Sequence, residues 1–326
     1  MKLLKLIVTA VFLLGCLSRP VLAQALELIY PEDGTWVPYS HLMIVRAPDI
    51  SGISIEMNAT PGEIFDMDAY RAEAGDFIKM QPDFAPGKNT LVLRGYDKTG
   101  KQISEVKSEI FYQDDPYGRT PAGYRPNIMH TPQREALCSP CHNMAPTAAQ
   151  LNESSAEKNP CGACHRRMLA KKFVHGPAGV FECVYCHDPG SKPAKYRSRG
   201  GDAAICTECH QDKFDDFNKN AYVHGPVAVG ICSVCHDPHA SDNAGQMLRP
   251  VNVLCVGCHA KVDLTTHVVR GVGKPHPLKG VPDPLAPGRQ LSCASCHNPH
   301  GGANWVFFSA DVAGSPMLLC QKCHKK

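Results

Sequence analysis

The chain has 326 residues, a formal net charge of +3 and 20% charged residues. Its lysines and arginines form no concentrated basic block, which argues against nucleic acid as a partner. Seventeen cysteines are present and sixteen belong to one repeated motif, so only Cys16 is left over and no structural disulfide is available.

The first residues read as a secretory signal. Lys2 and Lys5 precede a nearly continuous apolar run from Leu6 to Gly15, too short to span a bilayer. Val21-Leu22-Ala23 offers a cleavage site, giving a signal peptide over 1–23. Leu13-Leu14-Gly15-Cys16 is a rival lipobox, in which Cys16 becomes a lipidated first residue and the protein contacts a membrane. Both readings place the mature chain outside the cytoplasm, in the periplasm or at the outer membrane or cell surface. No later segment is apolar enough to cross a membrane.

Residues 24–113 read as a small β domain. Ile53, Ile55 and Met57 alternate with polar neighbours, as a half-buried strand requires. His41–Ala47, Thr90–Tyr96 and Gln102–Tyr112 read as further strands, with Pro86–Asn89 and Asp97–Gly100 as turns. This many short strands in about 90 residues predict an immunoglobulin-like sandwich. Residues 114–127, rich in proline and glycine, read as a linker.

From residue 128 onward the chain spells Cys-x-x-Cys-His eight times. The cysteine pairs are Cys138 and Cys141, Cys161 and Cys164, Cys183 and Cys186, Cys206 and Cys209, Cys232 and Cys235, Cys255 and Cys258, Cys293 and Cys296, and Cys320 and Cys323. The histidines that follow are His142, His165, His187, His210, His236, His259, His297 and His324. This is the attachment signature of c-type haem: two thiols add to the vinyl groups and the next imidazole reaches the iron. Zinc ribbons also use paired Cys-x-x-Cys knuckles, but a ribbon has no reason to keep a histidine after every second cysteine. Eight covalent haems are therefore the expected cofactors. Their sixteen propionates contribute about −16 if ionised, so the loaded protein should be mildly acidic.

About 25 residues serve each haem, too few for a conventional core. The haems must form the core of residues 128–326, with short helices after each attachment histidine, long loops and little strand.

The motifs fall into four pairs, with spacings of 23, 23, 23 and 27 residues inside a pair. A further histidine stands eight positions before the first motif of three pairs: His130, His175 and His224. Val174-His175-Gly176-Pro177 matches Val223-His224-Gly225-Pro226, and Cys186-His187-Asp188-Pro189 matches Cys235-His236-Asp237-Pro238. In the fourth pair the leading histidine has drifted to His276 or His267.

This pattern resembles the doubled Cys-x-x-Cys-His multihaem cytochrome c family of bacteria that respire with extracytoplasmic acceptors. The resemblance covers about 200 of the 326 residues. It implies closely packed bis-histidine haems and a role in electron transfer. Other multihaem cytochromes, an outer-membrane porin–cytochrome assembly and further copies of the chain are the partners it suggests.

Eight histidines lie outside the motifs, matching the number of irons that need a second axial ligand. His130, His175 and His224 are candidates by their repeated offset. His239 and His300 are candidates because Pro238 and Pro299 fix a turn just after a motif. His267 and His276 complete the set within the haem region. His41 reads as an ordinary strand histidine, which leaves one iron to Met144, Met168, Met247, Met317 or no protein ligand. Where the later units have His239 and His300, the first two have Met144 and Gly190, so odd ligation is expected in the amino-terminal half. The favoured function is an octahaem electron-transfer conduit rather than an enzyme. The alternatives are a reductase or oxidase of a small nitrogen or sulfur compound at one open haem, and a filament subunit. No motif has the altered attachment residue that often marks the catalytic class.

Overall fold

A computed structural model describes residues 26–38, 42–113, 119–268, 276–310 and 315–324. The signal segment, Cys16 and His41 lie outside the described residues. The chain divides into two compact units, Met1–Tyr112 with Thr120–Asn127, and Gln113–Arg119 with Ile128–Lys326.

The first unit is strand-rich. Its elements are β1 (Glu27–Tyr30), β2 (Thr35–Pro38), β3 (Met43–Arg46), β4 (Gly52–Met57), β5 (Ile64–Asp66), helix α1 (Met67–Ala74), β6 (Phe77–Met80), β7 (Gly87–Tyr96), β8 (Gln102–Gln113) and β9 (Arg125–Pro126). They form a three-stranded sheet, β1-β3-β6, and a six-stranded sheet, β5-β4-β7-β8-β2-β9. Period-two alternation sets the buried faces. Met43 and Val45 of β3, and Leu91 and Leu93 of β7, are at most 1% exposed, while Ile44, Arg46, Val92 and Arg94 between and beside them are not buried.

The β7–β8 hairpin closes where turn chemistry is expected. The Asp97 carboxylate accepts from Thr99 N at 2.8 Å and Lys101 N at 3.1 Å, and Gly100 takes φ +81°. Pro86–Asn89 departs from expectation, because β7 already begins at Gly87, paired with Tyr112. The fully buried Asn89 side chain folds back on the Ala85 and Gly87 carbonyls at 2.7 and 3.0 Å, which moves the turn upstream. The stretch read as a linker is also partly sheet: Arg125 and Pro126 pair in parallel with Thr35 and Trp36. Proline is tolerated there because β9 is an edge strand.

The second unit has short helices and little strand. Its longest helix, Asp202–Asn218, has 17 residues, and its named strands are two residues each. Among the described residues, of the 21 buried hydrophobic ones only Leu151, Phe181, Ala194, Ala240 and Leu278 lie here. Side chains alone therefore build very little core, as a haem-filled interior requires. The helices do not follow each attachment histidine as expected. Most run into or through the motif, as in Pro132–Cys138, Cys183–Cys186, Val251–Cys258 and Cys293–Cys296. After His187 and His297 the backbone turns extended. Among the described residues no helix is long and apolar enough to cross a membrane.

Candidate haem sites

Each motif is built on one helical turn. The N–H of His142, His165, His259, His297 and His324 donates to the carbonyl of the first motif cysteine at 2.9 Å, and that of His236 does so at 3.1 Å. His187 makes the same bond to Cys183, and Cys206–His210 lies within the longest helix, whose backbone breaks at His210. Positions i, i+3 and i+4 of a turn share one face, so both sulfurs and the imidazole are offered together. At the second motif the turn also needs a glycine, since a Cβ on Gly162 would lie 2.0 Å from the Ala156 carbonyl oxygen.

The structure brings the histidines together in twos. His130 faces His165, His175 faces His210, and His224 faces His259, with ring centroids 6.2, 6.2 and 6.1 Å apart. His239 faces His187 at 6.0 Å and His300 faces His236 at 6.3 Å. His267 faces His297 at 6.0 Å and His276 faces His324 at 6.2 Å. A metal–imidazole bond of about 2 Å on each side, with the ring radii added, spans about 6 Å. Seven pairs thus match the separation of two axial ligands across one iron. No group of three or more His, Cys, Asp or Glu converges among the described residues, which differs from a ribbon's closed set.

A simple rule emerges. The leading histidines His130, His175, His224 and His276 meet the second motif of their own unit. His239 and His300 reach back to the first motif of the preceding unit. Short strands set this exchange. Phe173–Val174 pairs with Ala240–Ser241, and Tyr222–Val223 pairs with Gly301–Gly302, so the second unit is stitched to the third and the third to the fourth beside these histidines. His297 belongs to the last unit, has no successor, and is met by His267.

The second ring nitrogen of many of these histidines is tied down, which fixes the tautomer and would leave the other nitrogen free for a metal. His187, His236 and His297 place Nδ1 at 2.8, 2.7 and 2.7 Å from the carbonyls of Tyr196, Gly245 and Val306. Each of these lies nine residues downstream. His175 and His224 use the carbonyls of Pro238 and Pro299. His130 instead meets the buried Glu135 carboxylate at 3.2 Å, and Lys195 holds its other oxygen at 2.7 Å. Burial pushes His130, His175, His187, His224 and His300 below the usual imidazole range, which favours the neutral form that a metal would need.

The cysteines adjoin in chain order. Cys161 hydrogen bonds with Cys183, Cys206 with Cys232 and Cys255 with Cys293, each shared bond raising the first thiol and lowering the second. Inside the units Cys138 senses Cys164, Cys186 senses Cys209, Cys235 senses Cys258 and Cys296 senses Cys323. Thioether formation would consume these thiols, and their neighbourhood would bring successive macrocycles side by side.

His142 is the exception. Among the described residues no second imidazole faces it. Of the methionines considered as ligands, Met144 and Met247 offer main-chain carbonyls to Lys195 and Ser241, and Met317 is 65% exposed. Sequence reasoning missed Glu135, Phe217 and Asn159. Phe217 stacks on His300 with centroids 4.1 Å apart. Asn159 is 2% exposed and accepts from the Cys161 N–H at 3.0 Å. The carbonyl partners carry no side-chain signal, since Tyr196, Gly245 and Val306 share no residue type.

Comparison with known proteins gives three matches to the doubled CXXCH motif, over residues 175–215, 224–264 and 284–326. The first motif pair lies outside these matches. No curated protein matches the chain. Among solved structures, the chain is similar to fibronectin(III)-like modules of Clostridium thermocellum CbhA at 14% identity, covering 27% of this chain and 96% of that one, with a TM-score of 0.21. It is similar to CopC of Methylosinus trichosporium OB3b at 21% identity, covering 27% and 92%, with a TM-score of 0.19. Parabacteroides merdae β-glucuronidase is similar at 11% identity, covering 29% of this chain and 12% of that one, with a TM-score of 0.23. Three of the four motif pairs thus match the doubled CXXCH motif, which is consistent with a multihaem cytochrome c.

Proposed function

We propose that the protein is an octahaem c-type cytochrome that conducts electrons outside the cytoplasm, toward an outer-membrane or extracellular acceptor. The observation that carries this reading is the set of seven facing histidine pairs, each 6.0 to 6.3 Å between ring centroids. Bound haem supplies a metal that changes oxidation state without changing its ligands. The chain's part is to supply both imidazoles, fix their tautomers, and line up the attachment cysteines in sequence order. Six-coordinate sites resist substrate binding, which suits a relay better than a reactor.

The amino-terminal unit is read as an Ig-like sandwich that docks the cytochrome to a partner, to another copy or to the envelope. The basic and apolar leader supports export, and lipidation at Cys16 would add membrane contact. Other multihaem cytochromes and a porin–cytochrome assembly are the proposed redox partners. A reductase or oxidase of a small nitrogen or sulfur compound is the second reading, favoured by His142, which faces no other imidazole among the described residues.

Two measurements on protein matured in a competent host test the proposal. Intact mass should show eight added haems, and a potentiometric titration should find all of them redox-active. Fewer than eight haems, or a majority that do not titrate, would contradict the octahaem conduit.

A further inference from the structure

The pairing rule assigns a definite place to the partner that His142 lacks among the described residues. First-motif histidines of the second and third units are met by a histidine three residues past the next unit's first-motif histidine: His187 by His239, His236 by His300. For His142 the corresponding position is Gly190. The other histidines of the haem region are already engaged in the seven pairs.

The turn around Gly190 is otherwise preserved. Gly190 N donates to the Asp188 carboxylate at 2.7 Å, as His239 N does to Asp237 at 2.9 Å and His300 N to Asn298 at 3.1 Å. Gly190 is exposed, and its φ lies outside the left-handed region, so the backbone accepts any residue. An added Cβ would meet only Asp188 Oδ1, at 3.3 Å. The same loop lies against the first motif, because the Lys195 ammonium reaches the Met144 carbonyl at 3.0 Å. The turn therefore keeps its form, with glycine at the position where the later repeats carry an imidazole.

His142 differs on its proximal side too. The other first-motif histidines have Nδ1 bonded to a carbonyl nine residues on, and each is followed by a residue that pairs back eleven residues on: Ser198 with His187, Met247 with His236, Phe308 with His297. In the first unit this loop is replaced by the short helix Ala148–Leu151.

We infer that the haem held by Cys138, Cys141 and His142 keeps an exchangeable sixth position, because Gly190 stands where the repeat supplies a histidine, and that this position takes a small diatomic π-acceptor ligand. The inference rests on the octahaem reading. A ferrous iron with one imidazole binds such ligands, whereas the bis-histidine irons are closed to them.

The test is carbon monoxide uptake by the reduced holoprotein, counted against haems measured by intact mass. One carbon monoxide per eight haems is expected. Gly190→His should abolish uptake and add one low-spin haem, while Gly190→Ala should leave the count at one. Should Gly190→His fail to mature, His239→Gly gives the converse: a second binding haem. Eight haems with no uptake in the natural protein would overturn the inference and leave the conduit standing. So would uptake that persists unchanged in Gly190→His, or uptake that arises only in His41→Ala. Fewer than eight haems would overturn the octahaem reading and this inference with it.

Discussion

Phe217 lies flat against His300, with ring centroids 4.1 Å apart and planes 4° from parallel, and His300 in turn lies within 7° of parallel to His236. The phenyl ring, on the helix Asp202–Asn218, thus sets the orientation of His300, the distal ligand we propose for the haem at His236. Phe217→Ala should release that ring. The expected result is a shift in the EPR signal of a single low-spin haem and a loss of about 1 kcal/mol of stability, with Phe217→Tyr restoring the signal. An unchanged spectrum in the alanine variant would show that Phe217 only packs.

Ring orientation differs among the pairs in a way that EPR can read. His187–His239 and His236–His300 are near parallel at 10° and 7°, whereas His276–His324 are crossed at 79°. Parallel imidazoles split the iron d orbitals, and crossed ones leave them nearly degenerate. His276→Ala should therefore remove the most anisotropic low-spin signal, and His239→Ala a rhombic one. Loss of the same signal in both variants would contradict the assigned pairs.

Glu135 gives His130 a charged hydrogen-bond partner where His175 and His224 have carbonyls. A carboxylate makes the imidazole a stronger donor and stabilises the oxidised metal. Glu135→Gln should raise the reduction potential of the haem at Cys161 and Cys164 by on the order of 50 mV, close to a tenfold change for one electron. Lys195 neutralises part of that charge, so Lys195→Met should move the same potential down. Equal signs for the two variants would rule out this electrostatic role.

The histidines lowered by burial set a pH window. His130, His175, His187, His224 and His300 stay neutral in the fold, whereas in the unfolded chain they titrate near 6.5. Between those values the unfolded state binds more protons, so stability rises with pH. Their contribution is complete above about 6.5 and is lost as pH falls through the lowered values. Low-spin absorbance should be flat above neutrality and collapse on acidification. Loss on raising the pH from 7 to 9 would contradict the sign.

Asn159 holds the second motif from behind. Its amide donates to the carbonyls of Leu151, Glu153 and Phe181 at 3.1, 2.8 and 3.3 Å, and its oxygen accepts from Cys161 N. Asn159→Ala would leave buried polar groups unpaired and should destabilise the haem unit by about 2–4 kcal/mol. A thermal melt unchanged from the natural protein would remove this role.

Much of the candidate site was legible because the attachment motif is written in side chains. Sixteen cysteines and eight following histidines carry it, and the leading histidines repeat at a fixed offset. The pairing was not legible, because it depends on two-residue strands such as Phe173–Val174 and Ala240–Ser241 that no periodicity announces. The same limit explains the helices. A motif closed by a bond from its histidine N–H to its first cysteine is already one turn, so nothing need follow it. In the first unit β3, β4, β7 and β8 match the expected strands, since alternation is strong there. Residues Arg125–Pro126 read as linker because proline hides an edge strand.

The central claim is that this chain clamps its irons between its own imidazoles, and spin-state quantitation by EPR of the fully oxidised, eight-haem protein tests it most directly. Low-spin ferric signals from at least seven haems are expected, one for each facing pair. Two or more high-spin haems at neutral pH would contradict it.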